Sequence, residues 1–287
     1  MWKYIDVDGI NTRYRESGEG SPIVLIHGGE IGGASADTWD DEFINELSPN
    51  HRVIAFDRLG SGYTDNPRAD DEFRMSAVVS HAGALLEKLN VRDATVAGHS
   101  RGAFVASRLA KLHPELVARL VIINSASISV RLPVEVMPGT LTYKLYYETW
   151  NGDIEHDERA MSVKTGHITP QYLSALKAIA ELPKVIEARQ KFKDLWHDVF
   201  AEFEIIKNDT LKWFIGGGFA KPTLIVWGVG DPSTTARDAA DLFEIFTPHV
   251  EELRMYMINR SGHGPHKEYP YEVGRAVANF VEATGRG

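Results

Sequence analysis

The chain has 287 residues, no cysteine and a formal net charge of −9 with histidine counted neutral. This excludes a disulfide framework, a thiolate metal site and a cysteine nucleophile, and the acidic balance argues against a nucleic-acid surface, which needs clustered Lys and Arg. With 43% apolar and 25% charged residues, the composition is that of a folded globular protein, either one large domain or a core with an insertion.

The N-terminal stretch MWKYIDVDGINTRYRES has no basic segment leading into a long apolar run. No signal peptide is therefore expected. No segment approaches 18 uninterrupted apolar residues, so no membrane span is expected either, and a cytoplasmic location is the resulting expectation. Trp2 to Arg15 reads as a β-hairpin turning at Asp8-Gly9. Short continuous apolar runs, as in strands buried on both faces, come next at Ile23–Ile26, Val53–Phe56, Ala94–Ala97, Leu120–Ile123 and Thr223–Trp227, with a further strand at Arg254–Ile258. Helical spacing marks Met75–Leu89, Ala103–Leu112, Ala236–Phe246 and Tyr271–Ala283. Strands alternating with helices predict an α/β fold, a mostly parallel sheet covered on both faces.

The alternation breaks in the middle of the chain. Residues 127–218 contain no convincing buried strand, carry many aromatics (Tyr143, Tyr146, Tyr147, Trp150, Trp196, Trp213), and show helical signals from Pro170 to Lys193. Gly216-Gly217-Gly218 reads as a hinge. The expected organisation is a core of residues 1–126 and 219–287 with a helical cap of residues 127–218 inserted into it.

The strand at Ala94–Ala97 runs into Gly98-His99-Ser100-Arg101-Gly102, and a helix begins at once. This is G-x-S-x-G between strand and helix, the setting of a nucleophile elbow. The flanking glycines lack the side chains that would clash with the neighbouring helix and strand. A serine hydroxyl needs a base, and eleven histidines are available. His263 is the candidate, in the loop between the strand at Arg254–Ile258 and the last helix, with His266 as runner-up. His27 is expected to brace a loop, and His99 to point away from Ser100. The base needs an acid that holds its tautomer. Asp231 stands at a strand end before a helix. Asp238 and Asp241 lie within that helix and are expected to be solvated, and Asn124, after the preceding core strand, cannot carry the charge. The order Ser100, Asp231, His263 is that of the α/β-hydrolase pattern. The oxyanion hole is expected from the N–H of Arg101 and from the glycine-rich loop His27–Gly33, with Gly29 before Gly28. No cofactor and no metal are expected. The partner is a small-molecule substrate, with neither nucleic acid nor membrane involved; a homodimer or larger homo-oligomer is compatible with the sequence.

These residues resemble the α/β-hydrolase superfamily over nearly the whole chain, and within it the meta-cleavage product hydrolases. The stretches HGGEIGGASADTWDDEF, LIVWGVGDPSTTARDAADLFEIF and MYMINRSGHGPHKEYPYEV carry the resemblance, as oxyanion segment, acid loop and histidine loop. The resemblance implies the α/β-hydrolase fold and, as activity, the splitting of a C–C bond in a 2-hydroxy-6-oxohexa-2,4-dienoate from aromatic catabolism. It further implies an arginine of the cap on the substrate carboxylate, with Arg189 as the candidate, and Trp39 as a second residue at the substrate. The chain departs from the pattern at Gly264, where a bulky aromatic is usual, and at Glu30, which interrupts the glycines. Ser100 at the elbow sets aside the dehalogenases and epoxide hydrolases, which need an aspartate there. A carboxylesterase or lactonase with the same triad is the alternative, and a non-catalytic small-molecule-binding protein on this scaffold a further one.

Overall fold

The computed structural model describes residues 1–130 and 153–285. Its eight strands form one sheet in the order β1-β2-β4-β3-β5-β6-β7-β8. They are β1 Trp2–Val7, β2 Ile10–Ser17, β3 Ser21–Ile26, β4 His51–Phe56, β5 Ala94–His99, β6 Val117–Ile123, β7 Thr223–Gly228 and β8 Leu253–Ile258. Asp8 and Gly9 both take positive φ, 52° and 84°, the requirement of a type I′ turn. β1 and β2 therefore pair antiparallel with Val7 opposite Ile10. β2 is antiparallel to β4, and every later pairing is parallel. β5 and β7 are buried along their whole length, which is why their sequences are apolar without alternation. β8 closes one edge and leaves Met255 and Met257 exposed.

Helices cover both faces. α2 (Met75–Lys88), α3 (Arg101–Leu112) and α8 (Ala236–Phe246) place Val78, Phe104 and Leu242 in one core. α1 (Asp41–Leu47) and α10 (Pro270–Thr284) place Phe43 and Phe280 in the other. α9 (Pro265–Glu268) is a single turn just before α10.

Between β6 and β7 lie α4 (Ile154–Ala160), α5 (Pro170–Ala180), α6 (Pro183–Asp194) and α7 (Trp196–Ile215). The helical signal at Pro170–Lys193 divides at Leu182, which is extended with Pro183 as the first helical residue after it, as proline favours. α4 and α7 go beyond the expectation. α7 did carry a signal, since Val199, Phe203 and Phe214 recur at helical spacing and are buried in the first core. Gly217 has φ 72°, and a Cβ on Gly218 would lie 1.8 Å from Trp213 Nε1. The triglycine is thus a packed turn closing α7. The expected contributions of Tyr143, Tyr146, Tyr147 and Trp150 lie outside the described residues. No helix among the described residues is long and apolar enough to cross a membrane.

Strand order determines where a cleft can open. β4 lies on one side of β3 and β5 on the other. The chain therefore reverses direction across the sheet at β3, and a crevice opens between the carboxyl ends of β3 and β5. His27–Gly33 leaves one lip of that crevice and Ser100 the other.

Candidate active site

Ser100 has φ 53° and ψ −123°, a conformation that L-residues avoid at a cost of roughly 1–3 kcal/mol. Three contacts enforce it. Its N–H donates to Ile123 O at 3.0 Å, and its carbonyl accepts from Ser125 Oγ at 2.7 Å and from Ala103 N–H at 3.0 Å. The flanking glycines are sterically required: a Cβ on Gly98 would lie 2.3 Å from Gly102 O, and one on Gly102 would lie 2.1 Å from Ile26 O. The elbow therefore exists because strand, turn and helix press together at two points where only hydrogen fits.

Asp231 and His263 meet at the carboxyl ends of β7 and β8. His263 Nδ1 lies 2.7 Å from Asp231 Oδ2. The Asp231 side chain is wholly buried and that of His263 is 16% exposed. Asp231 Oδ1 accepts from Ser233 N–H at 2.7 Å and Ser233 Oγ at 2.8 Å, and Oδ2 also accepts from Asn124 Nδ2 at 2.8 Å. Burial by itself pushes the Asp231 carboxyl up. The imidazole of His263 and the hydrogen bonds from His263, Ser233 and Asn124 outweigh it and hold the group below its ordinary value. Asn124 cannot be the acid, but its amide orients it. Its Oδ1 accepts from Gly228 N–H at 2.8 Å, which ties the end of β6 to the acid loop. Neither Ser233 nor Asn124 was legible as a site residue: Ser233 bonds Asp231 within its own loop but comes within 3.1 Å of His263 Nδ1 only where the loops after β7 and β8 meet, and Asn124 reaches the acid from the end of β6.

Ser100 joins this pair through neighbours. The ring of His99 lies 4.7 Å from that of His263, and His99 Nε2 donates to His263 O at 2.8 Å. Among the described residues no hydrogen bond joins Ser100 Oγ to His263; such contacts often tighten only with substrate bound. His266, the other candidate base, is wholly buried, with its ring 4.3 Å from Trp39 and 4.5 Å from His99. Burial pushes it well below the ordinary histidine value. It is a core residue.

Gly28 lies against the elbow: a Cβ there would be 2.8 Å from Ser100 Cβ. Gly29 is next, with φ 79°, open to glycine alone without strain. Among the described residues the N–H groups of Gly29 and Arg101 meet no acceptor. The Arg101 side chain pairs with Glu30, and its guanidinium lies 4.3 Å from the Phe203 ring centroid. Around that ion pair runs a mostly apolar cleft lined by Met75, Phe192, Trp196 and Phe203.

The helices between β6 and β7 bear directly on the histidine loop. His263 N–H donates to Met161 O at 2.8 Å. The Glu268 carboxylate accepts from Gly262, Val163 and Lys164 N–H at 2.7, 3.1 and 2.7 Å.

Three expectations are corrected here. Trp39 is fully buried, with its ring on Phe43 and His266, so it belongs to the second core and offers no surface to a substrate. Asp238 is buried, because it forms a reciprocal cap with Thr235 and accepts from Ser129 Oγ. Asp241 is partly buried beside Arg237. Arg189 is half-buried, and its Nε donates to Gly32 O at 2.7 Å, so it grips the glycine-rich loop from α6. A group able to hold a metal ion, Glu87, His113 and Glu115, lies at the carboxyl ends of α2 and α3, outside this site.

A family model described as the alpha/beta hydrolase fold matches residues 21–270. The chain is similar to the 2-hydroxy-6-oxo-6-(2'-aminophenyl)hexa-2,4-dienoic acid hydrolase of Metapseudomonas resinovorans, 25% identical over 97% of this chain and 90% of the relative. It is 40% identical, over 42% of each chain, to the 2-hydroxymuconate semialdehyde hydrolase of Pseudomonas sp. (strain CF600). Among solved structures, the meta-cleavage product hydrolase from Pseudomonas fluorescens IP01 superposes with a TM-score of 0.75 at 22% identity, covering 98% of this chain and 97% of that one.

Proposed function

The chain belongs to the alpha/beta hydrolase fold family, and we propose that within it the protein is a serine-dependent hydrolase of meta-cleavage products. It would cleave a C–C bond in a 2-hydroxy-6-oxohexa-2,4-dienoate and release a hydroxypentadienoate and a carboxylic acid. The observation that carries the chemistry is the short Asp231–His263 contact beside a serine on a strained elbow. The choice of substrate rests on the likeness, along almost the full length, to a relative whose name specifies such a dienoate.

In this reading His263 is the proton shuttle. Asp231 accepts from Nδ1, which leaves Nε2 to take a proton. The dienol first tautomerises to a keto form, which supplies the electron sink that C–C cleavage needs. Ser100, deprotonated by His263, attacks the distal ketone carbon. The N–H groups of Gly29 and Arg101, with Gly28 as second choice in the loop, stabilise the oxyanion, each worth on the order of 3 kcal/mol. Collapse expels the dienoate, and water releases the acyl group. In this reading α4 to α7, between β6 and β7, cover the site, and the aromatics beside Arg101 (Phe192, Trp196 and Phe203) supply an apolar wall for the substituent on the ketone. The partner is a small molecule.

The test is optical. The purified protein is mixed with the yellow 2-hydroxy-6-oxo-6-phenylhexa-2,4-dienoate, alongside Ser100→Ala. Bleaching by the wild type, with benzoate and hydroxypentadienoate as products and the variant crippled, is the expected outcome. No bleaching with this or an alkyl-substituted analogue would end the C–C reading and move the triad to ester and lactone substrates.

A further inference from the structure

Behind the glycine-rich loop lies a buried cation that the proposed mechanism does not use. Arg58, just beyond β4, is 1% exposed. Its Nη2 donates to Gly28 O at 2.7 Å and also to Gly29 O. Its backbone N–H donates to His27 Nε2 at 3.1 Å. That bond makes Nε2 the acceptor nitrogen, so the proton of the neutral ring sits on Nδ1. Nδ1 in turn donates to the same Gly28 carbonyl at 2.8 Å. His27 is wholly buried. Burial first, then the charge of Arg58, keeps it neutral.

One carbonyl therefore receives two donors from rigid, buried groups, one of them cationic. The described peptide bonds are all trans, so the N–H of Gly29 runs antiparallel to the Gly28 carbonyl and points away from Arg58. Among the described residues Arg58 makes no hydrogen bond to a carboxylate. Burial lowers it to about 10, which still leaves it charged at neutral pH. The Glu30 carboxylate favours the charge without a hydrogen bond to it, being paired directly with Arg101; the side-chain hydrogen bonds of Arg58 all go to carbonyls, a costly arrangement as a structural device that strengthens the dipoles it binds.

We propose that Arg58, acting with His27, is the positioning residue of the oxyanion site: it locks and polarises the Gly28–Gly29 peptide so that the Gly29 N–H is turned to the carbonyl under attack by Ser100. The inference rests on Ser100 and Gly29 having the roles proposed for them, but not on which bond the enzyme cleaves.

The test uses p-nitrophenyl acetate, which any serine acyl-transfer site can accept, and an aryl trifluoromethyl ketone, which mimics the tetrahedral oxyanion. Arg58→Met is expected to lower kcat on the order of 10²-fold, as for loss of an oxyanion donor, with KM within about twofold of wild type. Inhibition by the ketone is expected to weaken in parallel with kcat/KM. Arg58→Lys, which keeps the charge and one donor, is expected to fall between. A folded Arg58→Met with wild-type kcat would overturn the proposal. So would a loss of kcat with ketone binding unchanged, which is what a merely structural role produces. If Arg58→Met does not fold, the same two readings on Arg58→Lys decide. Ester turnover that disappears in Ser100→Ala, in a wild type that leaves the dienoate untouched, ends the C–C reading and leaves this one standing. A wild type that neither turns over the ester through Ser100 nor binds the ketone removes the oxyanion site and this inference with it.

Discussion

Asp231 is the residue in which local environment and proposed role are most tightly coupled. It is wholly buried and still held below its ordinary carboxylate value by His263, Ser233 and Asn124. Asp231→Asn is expected to lower kcat on the order of 10³–10⁴-fold, because the amide favours the wrong imidazole tautomer. The same carboxylate contributes to stability. Its folded value lies below the unfolded one, so the contribution is complete above about pH 4 and is lost as pH falls through the folded value. The gap in unfolding free energy between wild type and Asp231→Asn is therefore expected to narrow below about pH 4, measured by urea titration at a series of pH values. A gap that widens towards acid pH would contradict this assignment of the shift.

At the level of elements, the connection between β6 and β7 is fastened to the histidine loop by a buried network. Lys267 Nζ pairs with Glu158 Oε2 at 2.7 Å, and their side chains are 13% and 20% exposed. Tyr172 OH donates to the same Glu158 oxygen at 3.1 Å. α4, α5 and α9 thus share one ion pair, next to the Glu268 carboxylate that accepts from backbone N–H groups on both sides. Lys267→Met leaves Glu158 without its cation and is expected to cost about 3 kcal/mol in urea unfolding. Adding Glu158→Gln is expected to recover part of that loss. A double variant as unstable as the sum of the single ones would mean that the two groups are not coupled.

On the scale of the whole molecule, α7 is packed into the core of the sheet. Val199, Phe203 and Phe214 of α7 are buried in the same core as Phe104 of α3 and Phe246 of α8, and the Phe104–Phe203 rings are 5.0 Å apart. Arg108 and Lys111 of α3 both pair with Asp209 of α7. Thermal unfolding followed by far-UV signal and by aromatic near-UV signal is expected to give coincident transitions. An earlier aromatic transition would show that α7 leaves the core before the sheet melts.

Much of this was legible along the chain because it depends on neighbours in sequence. Period and apolar runs placed the strands, Asp8-Gly9 placed the first turn, and glycines two residues either side of Ser100 marked the elbow. Each of these reflects a steric or hydrophobic demand that a few consecutive residues meet alone. Tertiary packing decided the rest. Trp39 was expected at the substrate and Asp238 in solvent, and both are buried because remote elements, carrying His266 and Ser129, fold against them. Asn124 gained its role from Asp231, more than a hundred residues away, and Arg58 from two carbonyls on the loop after β3. Contacts of that separation leave no period or motif in the sequence; they exist only once the sheet order brings the loops to one edge.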